Sequence, residues 1–344
     1  ILNLWINIAT KGKDLIEIIP FVWNMKLDKK DLRILSELDM DARQSNTQIA
    51  RKCKLSKYGV GYRISKMMDG GLIEGFYTVI DISRLRYTFY RFFLRLQDTD
   101  PAREKELIRF LQASPHVAWI ARTEGDYDLA VLVWAKETRQ LEKFYDHLMF
   151  TFDKSIQEVE FSIASRVHHL RHKHLFGQGK SVVTGADDAR YDLDEIDKKI
   201  LSIIATSARI PLNDIADLAA ISAKTAASRI KKLSRERIIL ASRAKLDVSL
   251  LGQQHFKIFL MLKNMTERRF NSLVEFLKQH PNVIYITKAV GRTNLEFEAE
   301  VGSSIELHHL MNELRHKFSD LVKNYKTCID IKEIKIDHFP EKTV

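Results

Sequence analysis

The sequence predicts an α+β protein made of two tandem units, each a winged helix-turn-helix followed by a ferredoxin-like β-α-β-β-α-β domain. Three observations predict this. First, LDKKDLRIL at 27–35 returns as LDEIDKKIL at 193–201, which maps Asp28 onto Asp194 at an offset of 166 residues. At that offset, with no gap, 16 of the 55 residues in 27–81 equal their partners in 193–247, where unrelated sequences of ordinary composition share roughly three. The register persists through Leu94, Phe110, Pro115, Gly125, Leu129 and Phe152, each of which meets an identical residue downstream. A period this long marks a duplicated unit and not a solenoid of short repeats. Second, the front third of each unit has helical periodicity. Third, the back two-thirds alternate strand and helix patterns.

In unit one, Asp28 can cap the first helix and Asp31 falls in its positive first turn; Leu32, Leu35 and Leu38 follow at helical spacing. Asn46 to Lys52 predicts a short second helix with Ile49 and Ala50 inward. Ser56 caps a third helix that runs to about Met68 and stops at Gly70-Gly71. GLIEGFYTVID then predicts a small β-hairpin, the wing. FYRFFLRLQ is a strand and PAREKELIRFLQA a helix. VAWIART and YDLAVLVWA are strands joined by a tight turn at Glu124-Gly125-Asp126. TRQLEKFYDHLMFTF is a helix and QEVEFSIASRV the last strand. That order is ferredoxin-like, and unit two repeats it from Phe256 to Asp337.

The predicted domains are therefore winged helices at 27–81 and 193–247 and ferredoxin-like domains at 82–173 and 248–344. A Gly-containing linker at 174–192 separates the units, and residues 1–26 form an N-terminal extension. The extension opens with Ile and has neither a basic n-region nor a small-residue cleavage site, so it does not read as a signal peptide. Met25 stands two residues before the first repeat, and we read it as the natural start.

The net charge of +10 and the sequence pI of about 9.4 favour an anionic partner, nucleic acid or a membrane surface. No apolar run reaches the length of about 18 residues that a membrane-crossing helix needs. Cys53 and Cys328 are the only cysteines. They give no disulfide framework and no metal-ligand spacing, which suits a reducing, cytoplasmic setting.

The positive charge is concentrated. From Ala42 to Met68 there are seven basic residues and no acidic one, while residues 27–173 as a whole carry 25 Lys and Arg against 21 Asp and Glu. A basic run that coincides with a helix-turn-helix is the footprint of phosphate binding. The predicted contacts of unit one with double-stranded DNA are Arg43, Ser56, Lys57, Tyr58, Tyr62, Arg63 and Lys66, with the third helix entering a major groove. In unit two they are Ser222, Lys224, Thr225, Ser228, Arg229 and Lys232. That stretch, ISAKTAASRIKKL, is mostly small residues and predicts backbone holding more than base reading. Gly59-x-Gly61 is no dinucleotide fingerprint, because no strand precedes it and no third glycine follows.

No nucleophile-base pattern, Walker loop or carboxylate pair stands out, and no cofactor or metal is predicted. HHLRHKH at 168–174 looks like a metal tract, but His168 and His172 end a predicted strand, where four residues span about 13 Å. We read it as a basic exit into the linker.

The phrases LDKKDLRIL, Ala42-Arg43, Ile49-Ala50, Leu55-Ser56, Arg63-Ile64 and Gly71-Leu72-Ile73, followed by the β-α-β-β-α-β block with Gly125-x-x-Asp128, resemble the Lrp/AsnC (feast/famine) family. The resemblance covers both units and departs from that family's usual single unit per polypeptide. It implies a DNA-binding transcription regulator whose rear domains pair and sense amino acids. Gly125, Asp126 and Asp128 resemble the family's ligand loop, where a carboxylate can pair with an α-ammonium group. Unit two has Arg292 and Asn294 in place of the two aspartates, so one effector site per chain is expected. Pairing of the two units within one chain is expected too, since covalent linkage raises effective concentration, with further self-association of chains open. The same two-unit layout also resembles siroheme decarboxylases, which implies an enzyme as the alternative.

Overall fold

The computed structural model describes residues 26–186 and 189–341. The N-terminal extension, apart from residue 26, lies outside them. The front of unit one is three helices: α1 (Lys29–Leu38), α2 (Asn46–Cys53) and α3 (Lys57–Asp69). Asp28 caps α1 by accepting from the backbone of Lys30 and Asp31, and Asp31 returns the favour to Asp28 N at 3.1 Å. Ser45 and Gln48 form the same reciprocal box on α2. These boxes satisfy donors that a helix start leaves orphaned. Ile34, Leu35 and Leu38 bury the inner face of α1; Leu32, expected there, is half-buried. Unit two repeats the trio as α7 (Glu195–Thr206), α8 (Leu212–Ala219) and α9 (Ala223–Arg235), after a short helix α6 in the connecting segment, described below.

The wing differs from expectation. Instead of a hairpin, Ile73–Ile80 is one unbroken strand, β1. It pairs antiparallel with its own counterpart in unit two, β7 (Ile239–Leu246), from Ile73↔Leu246 to Ile80↔Ile239. Gly75, midway along, does not take a positive φ, so the chain has no turn there. The partner that the first wing strand needs lies about 166 residues downstream, out of reach of any local pattern. The register is close to self-complementary, so the ribbon carries a pseudo-twofold axis.

The rear domains keep the expected order. Unit one has β2 (Thr88–Leu96), α4 (Pro101–Ala113), β3 (Val117–Gly125), β4 (Leu129–Ala135), α5 (Thr138–Phe152) and β5 (Ile156–His169). Unit two has β8 (Gln254–Leu262), α10 (Glu267–Gln279), β9 (Val283–Gly291), β10 (Leu295–Val301), α11 (Ser304–Lys317) and β11 (Val322–Ile336). Each sheet buries one face under its own two helices, with cores centred on Phe92, Leu111 and Leu148 in unit one and on Ile258, Leu277 and Leu314 in unit two. The two sheets then join at both edges: β3 pairs with β11, and β5 pairs with β9. Because β2 also pairs with β5, eight strands close in the order β5-β2-β4-β3-β11-β8-β10-β9. Closure removes the exposed strand edges that would otherwise template aggregation.

Two glycines make the closure fit. Gly125, at φ +126°, lies where an added Cβ would stand 2.6 Å from Thr327 O, and Gly291 is placed equivalently against Phe161 O at 2.8 Å. The connecting segment is ordered where it is described: α6 (Lys173–Phe176) follows β5, and β6 (Val182–Thr184) adds to the β5 edge.

Candidate nucleic-acid interface

Ser56 caps α3, its Oγ accepting from Gly59 N at 3.0 Å; Ser222 caps α9, accepting from Thr225 N at 3.0 Å. Their hydroxyls are thus committed to the helix starts. On α3 the exposed face carries Lys57, Tyr58, Tyr62 and Lys66, with Tyr58 86% and Tyr62 70% exposed. Large exposed aromatics are unusual on a protein surface without a partner. A phenol ring flanked by ammonium groups offers both apolar contact and hydrogen bonding to base edges and phosphates. On α9 the exposed face is Lys224, Ala227, Ser228, Lys231 and Lys232, and Lys232 leans over the Tyr191 ring at 5.5 Å. Thr225 is half-buried, its hydroxyl 2.8 Å from Ser222 Oγ.

Three of the predicted DNA contacts are engaged inside the protein. Arg63 does not reach outward: its guanidinium spans Asp28 and Asp31 on α1, both at 2.7 Å. Arg229 makes the same bridge to Asp194 and Asp197. The reason is electrostatic. The first turn of α1 and of α7 presents two carboxylates, and the nearest cation on the packed helix turns to them. Hydrogen bonds from Asp31 and Lys30 backbone and from Arg63 hold Asp28 down to about 2, below the usual carboxylate range. These arginines fasten the third helix to the first. Arg43 donates to Ala208 O of unit two at 2.6 Å. Its counterpart Arg209 donates to Ala42 O, to Gln44 O at 3.0 Å and to Asn46 Oδ1 at 2.9 Å. The two arginines clasp the helix-turn-helix modules together across the pseudo-twofold axis.

The predicted ligand loop is also reassigned in part. Asp128 Oδ2 accepts from Leu96 N at 2.7 Å, and Asp126 Oδ2 accepts from Thr327 N of unit two at 2.8 Å. Asn294 makes the Asp128 bond again in unit two, to Leu262 N at 2.8 Å. An amide does that work as well as a carboxylate, so the aspartate-to-asparagine difference between the units leaves the turn intact.

The HHLRHKH tract is not a free basic exit. The chain turns after β5 and buries His172, with Nδ1 2.9 Å from Asp39 Oδ1 on the first helix-turn-helix and Nε2 3.5 Å from Glu300. Arg243 of β7 reaches the same Asp39 oxygen at 2.7 Å. Burial opposes the charge on Asp39, but Arg243 and His172 override it and hold the carboxyl far below its usual range. Among the described residues no group of His, Cys, Asp and Glu is arranged to hold a metal ion.

Sequence reasoning missed this cluster and also the interior of the barrel. The signal for the second was present: β10 reads LEFEAEV where β4 reads LAVLVWA. Alternating glutamates in a strand with one face against helices require the other face to be polar.

The comparisons agree with this geometry. Residues 27–74 match a model of winged helix-turn-helix DNA-binding domains, and residues 193–234 match the AsnC-type helix-turn-helix domain. An uncharacterised HTH-type transcriptional regulator of Pyrococcus horikoshii is 27% identical over 158 residues, which is 46% of this chain and 98% of that protein. The HTH-type transcriptional regulator LysM of Saccharolobus solfataricus is 28% identical over 136 residues, 40% of this chain and 89% of its own length. Each such relative therefore equals about one of the two units. Across the whole chain the fold is similar to the crystal structure of the siroheme decarboxylase NirDL, with a TM-score of 0.62 and 14% identity, covering 90% of this chain and 94% of that one; at that identity the likeness is one of fold. In its helix-turn-helix modules and in the single-unit regulators that it matches, the chain is similar to the Lrp/AsnC family, with two winged-helix and ferredoxin-like units in one polypeptide.

Proposed function

We propose that this chain is a sequence-specific DNA-binding transcription regulator that reads its target mainly through unit one. The observation that carries this is the exposed face of α3, where Tyr58 and Tyr62 stand between Lys57 and Lys66. Unit two presents lysines among small side chains, which suits phosphate contact and register more than base readout. The β1–β7 ribbon and the Arg43–Arg209 clasp join the two modules without a second chain. The target then has two unlike half-sites in fixed relation. Selection of bound fragments from genomic DNA tests this: one enriched asymmetric sequence is expected, and recovery of fragments with no common sequence would overturn it.

The finer reading, an amino-acid effector at Gly125, Asp126 and Asp128, is supported by the loop's place at the seam between the sheets. An ammonium group there would compete with Thr327 N for Asp126. Calorimetry with a panel of amino acids on the parent chain and on Asp126→Asn tests it; binding unchanged by the substitution would remove the loop from the reading.

A second reading, a siroheme-decarboxylase-like enzyme, draws on the whole-chain fold. Against it, the cations of the barrel interior, Arg91 and Lys257, are already paired with Glu296 and Glu298 on β10, which leaves no free basic wall for a tetrapyrrole's carboxylates. Haem-type absorbance that copurifies with the chain in stoichiometric amount would favour the enzyme.

A further inference from the structure

The closed barrel and the β1–β7 ribbon border a half-open cavity of about 1030 Å³, the size of a small-molecule site. Its two walls differ in kind because the duplicated strands have diverged. At equivalent positions β4 turns Ala130, Leu132 and Trp134 toward the interior, and β10 turns Glu296, Glu298 and Glu300 there. Phe89, Phe93 and Trp119 continue the apolar wall, and Asp330 on β11 continues the acidic one. The rim residues Glu74, Ser249 and Lys332 are exposed.

Most of the interior charges are matched. Glu296 binds Arg91 and accepts from Ser162 Oγ at 3.0 Å. Glu298 accepts from Lys257 Nζ at 2.6 Å and faces His255 at 3.2 Å. Glu300 faces His172 and His174. Asp330 differs. Its nearest cation is His255, at 3.7 Å, beyond hydrogen-bond length, and its Oδ1 is buried with no donor; Glu300 Oε2 also lacks a donor but has His174 at 3.2 Å. Burial, together with neighbouring Glu298, raises its pKa above the ordinary value even though His255 opposes the rise. A buried carboxylate short of donors is destabilising, and a ligand that brings a donor to the carboxyl group relieves that.

The geometry points to this cavity as the site of a small organic cation: a primary ammonium group on Asp330, with an aromatic or other apolar body against Leu132, Phe93 and Trp119. The lining cations Arg91 and Lys257 are paired with Glu296 and Glu298, which leaves Asp330 as the carboxylate free to take a cation. Carboxylates attract the ammonium group, and aromatic faces attract cations as well as apolar surface. The site is separate from the Gly125–Asp128 loop, and it goes beyond DNA binding, which does not depend on it. It touches both modules through Tyr77 and Lys245 on the ribbon, so an occupant lies against the strands that join them.

Phenethylamine and its acidic analogue 3-phenylpropionate, titrated into the full chain by calorimetry and by the fluorescence of Trp119 and Trp134, test the assignment. We expect saturable binding of the amine at one per chain, at least tenfold weaker binding of the acid, and a loss of about tenfold or more in Asp330→Asn, the worth of one charge-assisted hydrogen bond. Thermal melting of Asp330→Asn monitors folding, and Asp330→Glu should retain amine binding. Failure of the amine to saturate in the low millimolar range overturns the proposal. So does equal binding of the acid, or undiminished amine binding by a folded Asp330→Asn.

Discussion

His172 Nδ1 and Asp39 Oδ1 lie 2.9 Å apart although 133 residues separate them in the chain. One follows the last strand of the first ferredoxin-like domain, and the other closes the first helix of the module in front of it. Arg243 of unit two completes the contact, so three parts of the chain meet on one buried carboxylate. At the pseudo-symmetric place the residues differ: His338 stacks on Tyr77 at 4.5 Å, and Tyr77 shares a hydrogen bond with Tyr285. The duplication kept the joint and changed its chemistry, from an ionic cluster on one side to an aromatic one on the other.

This joint makes stability depend on pH. Burial alone would depress His172, but Glu300 and Asp39 raise it to about 9 from the ordinary 6.5. His255, faced by Glu298, Asp330 and Glu300, is likewise raised to about 9. The folded state thus holds protons that the unfolded chain releases. Their stabilisation is whole below about pH 6.5 and is lost as the pH rises through about 9. Denaturant unfolding between pH 6.5 and 9.5 should show falling stability, and His172→Gln should flatten part of the decline. A wild-type profile that stays level across this window would contradict the assignment.

Arg63→Ala and Lys57→Ala should separate stability from binding. The Arg63 bridge to Asp28 and Asp31 is partly exposed, so its loss should cost on the order of 1 kcal/mol of stability with base preference retained. Lys57→Ala should leave the melting temperature within about a degree and weaken DNA binding across sequences, with a salt slope lower by about 1. Melting curves and binding at several salt concentrations measure both.

Arg209→Ala should loosen the two modules from each other. It removes charged donors from Ala42 O, Gln44 O and Asn46 Oδ1, a loss of about 1.5–3 kcal/mol. The same change at Arg43, which lies beside Arg209, should not add to it in full. Additive losses in the double variant would argue against a shared clasp.

Asp128→Asn should be nearly neutral, because Asn294 makes the same bond to the equivalent backbone N–H. Asp128→Ala leaves Leu96 N without its acceptor and should cost about 1–3 kcal/mol. Thermal unfolding of the two variants distinguishes them, and equal destabilisation by both would show that the carboxylate charge itself is needed.

The sequence by itself determined the duplicated layout, the helix caps at Asp28 and Ser56, and the β-α-β-β-α-β order. These rest on short-range rules: periodicity, capping and a repeat in register. It also placed Lys57, Tyr58, Tyr62 and Lys66 on one helix. Tertiary structure alone decided where the long side chains point and which strands meet. Arg63 and Arg43 carry the right charge for DNA, but a carboxylate pair on α1 and a carbonyl of the other unit lie closer. The first wing strand carries no mark that its partner is β7. Ring closure depends on two edge pairings between units, and LEFEAEV becomes an acidic wall only when that ring gives it an inside. Propensity is local, whereas hydrogen-bond partners and burial belong to whichever surfaces the folded chain brings together.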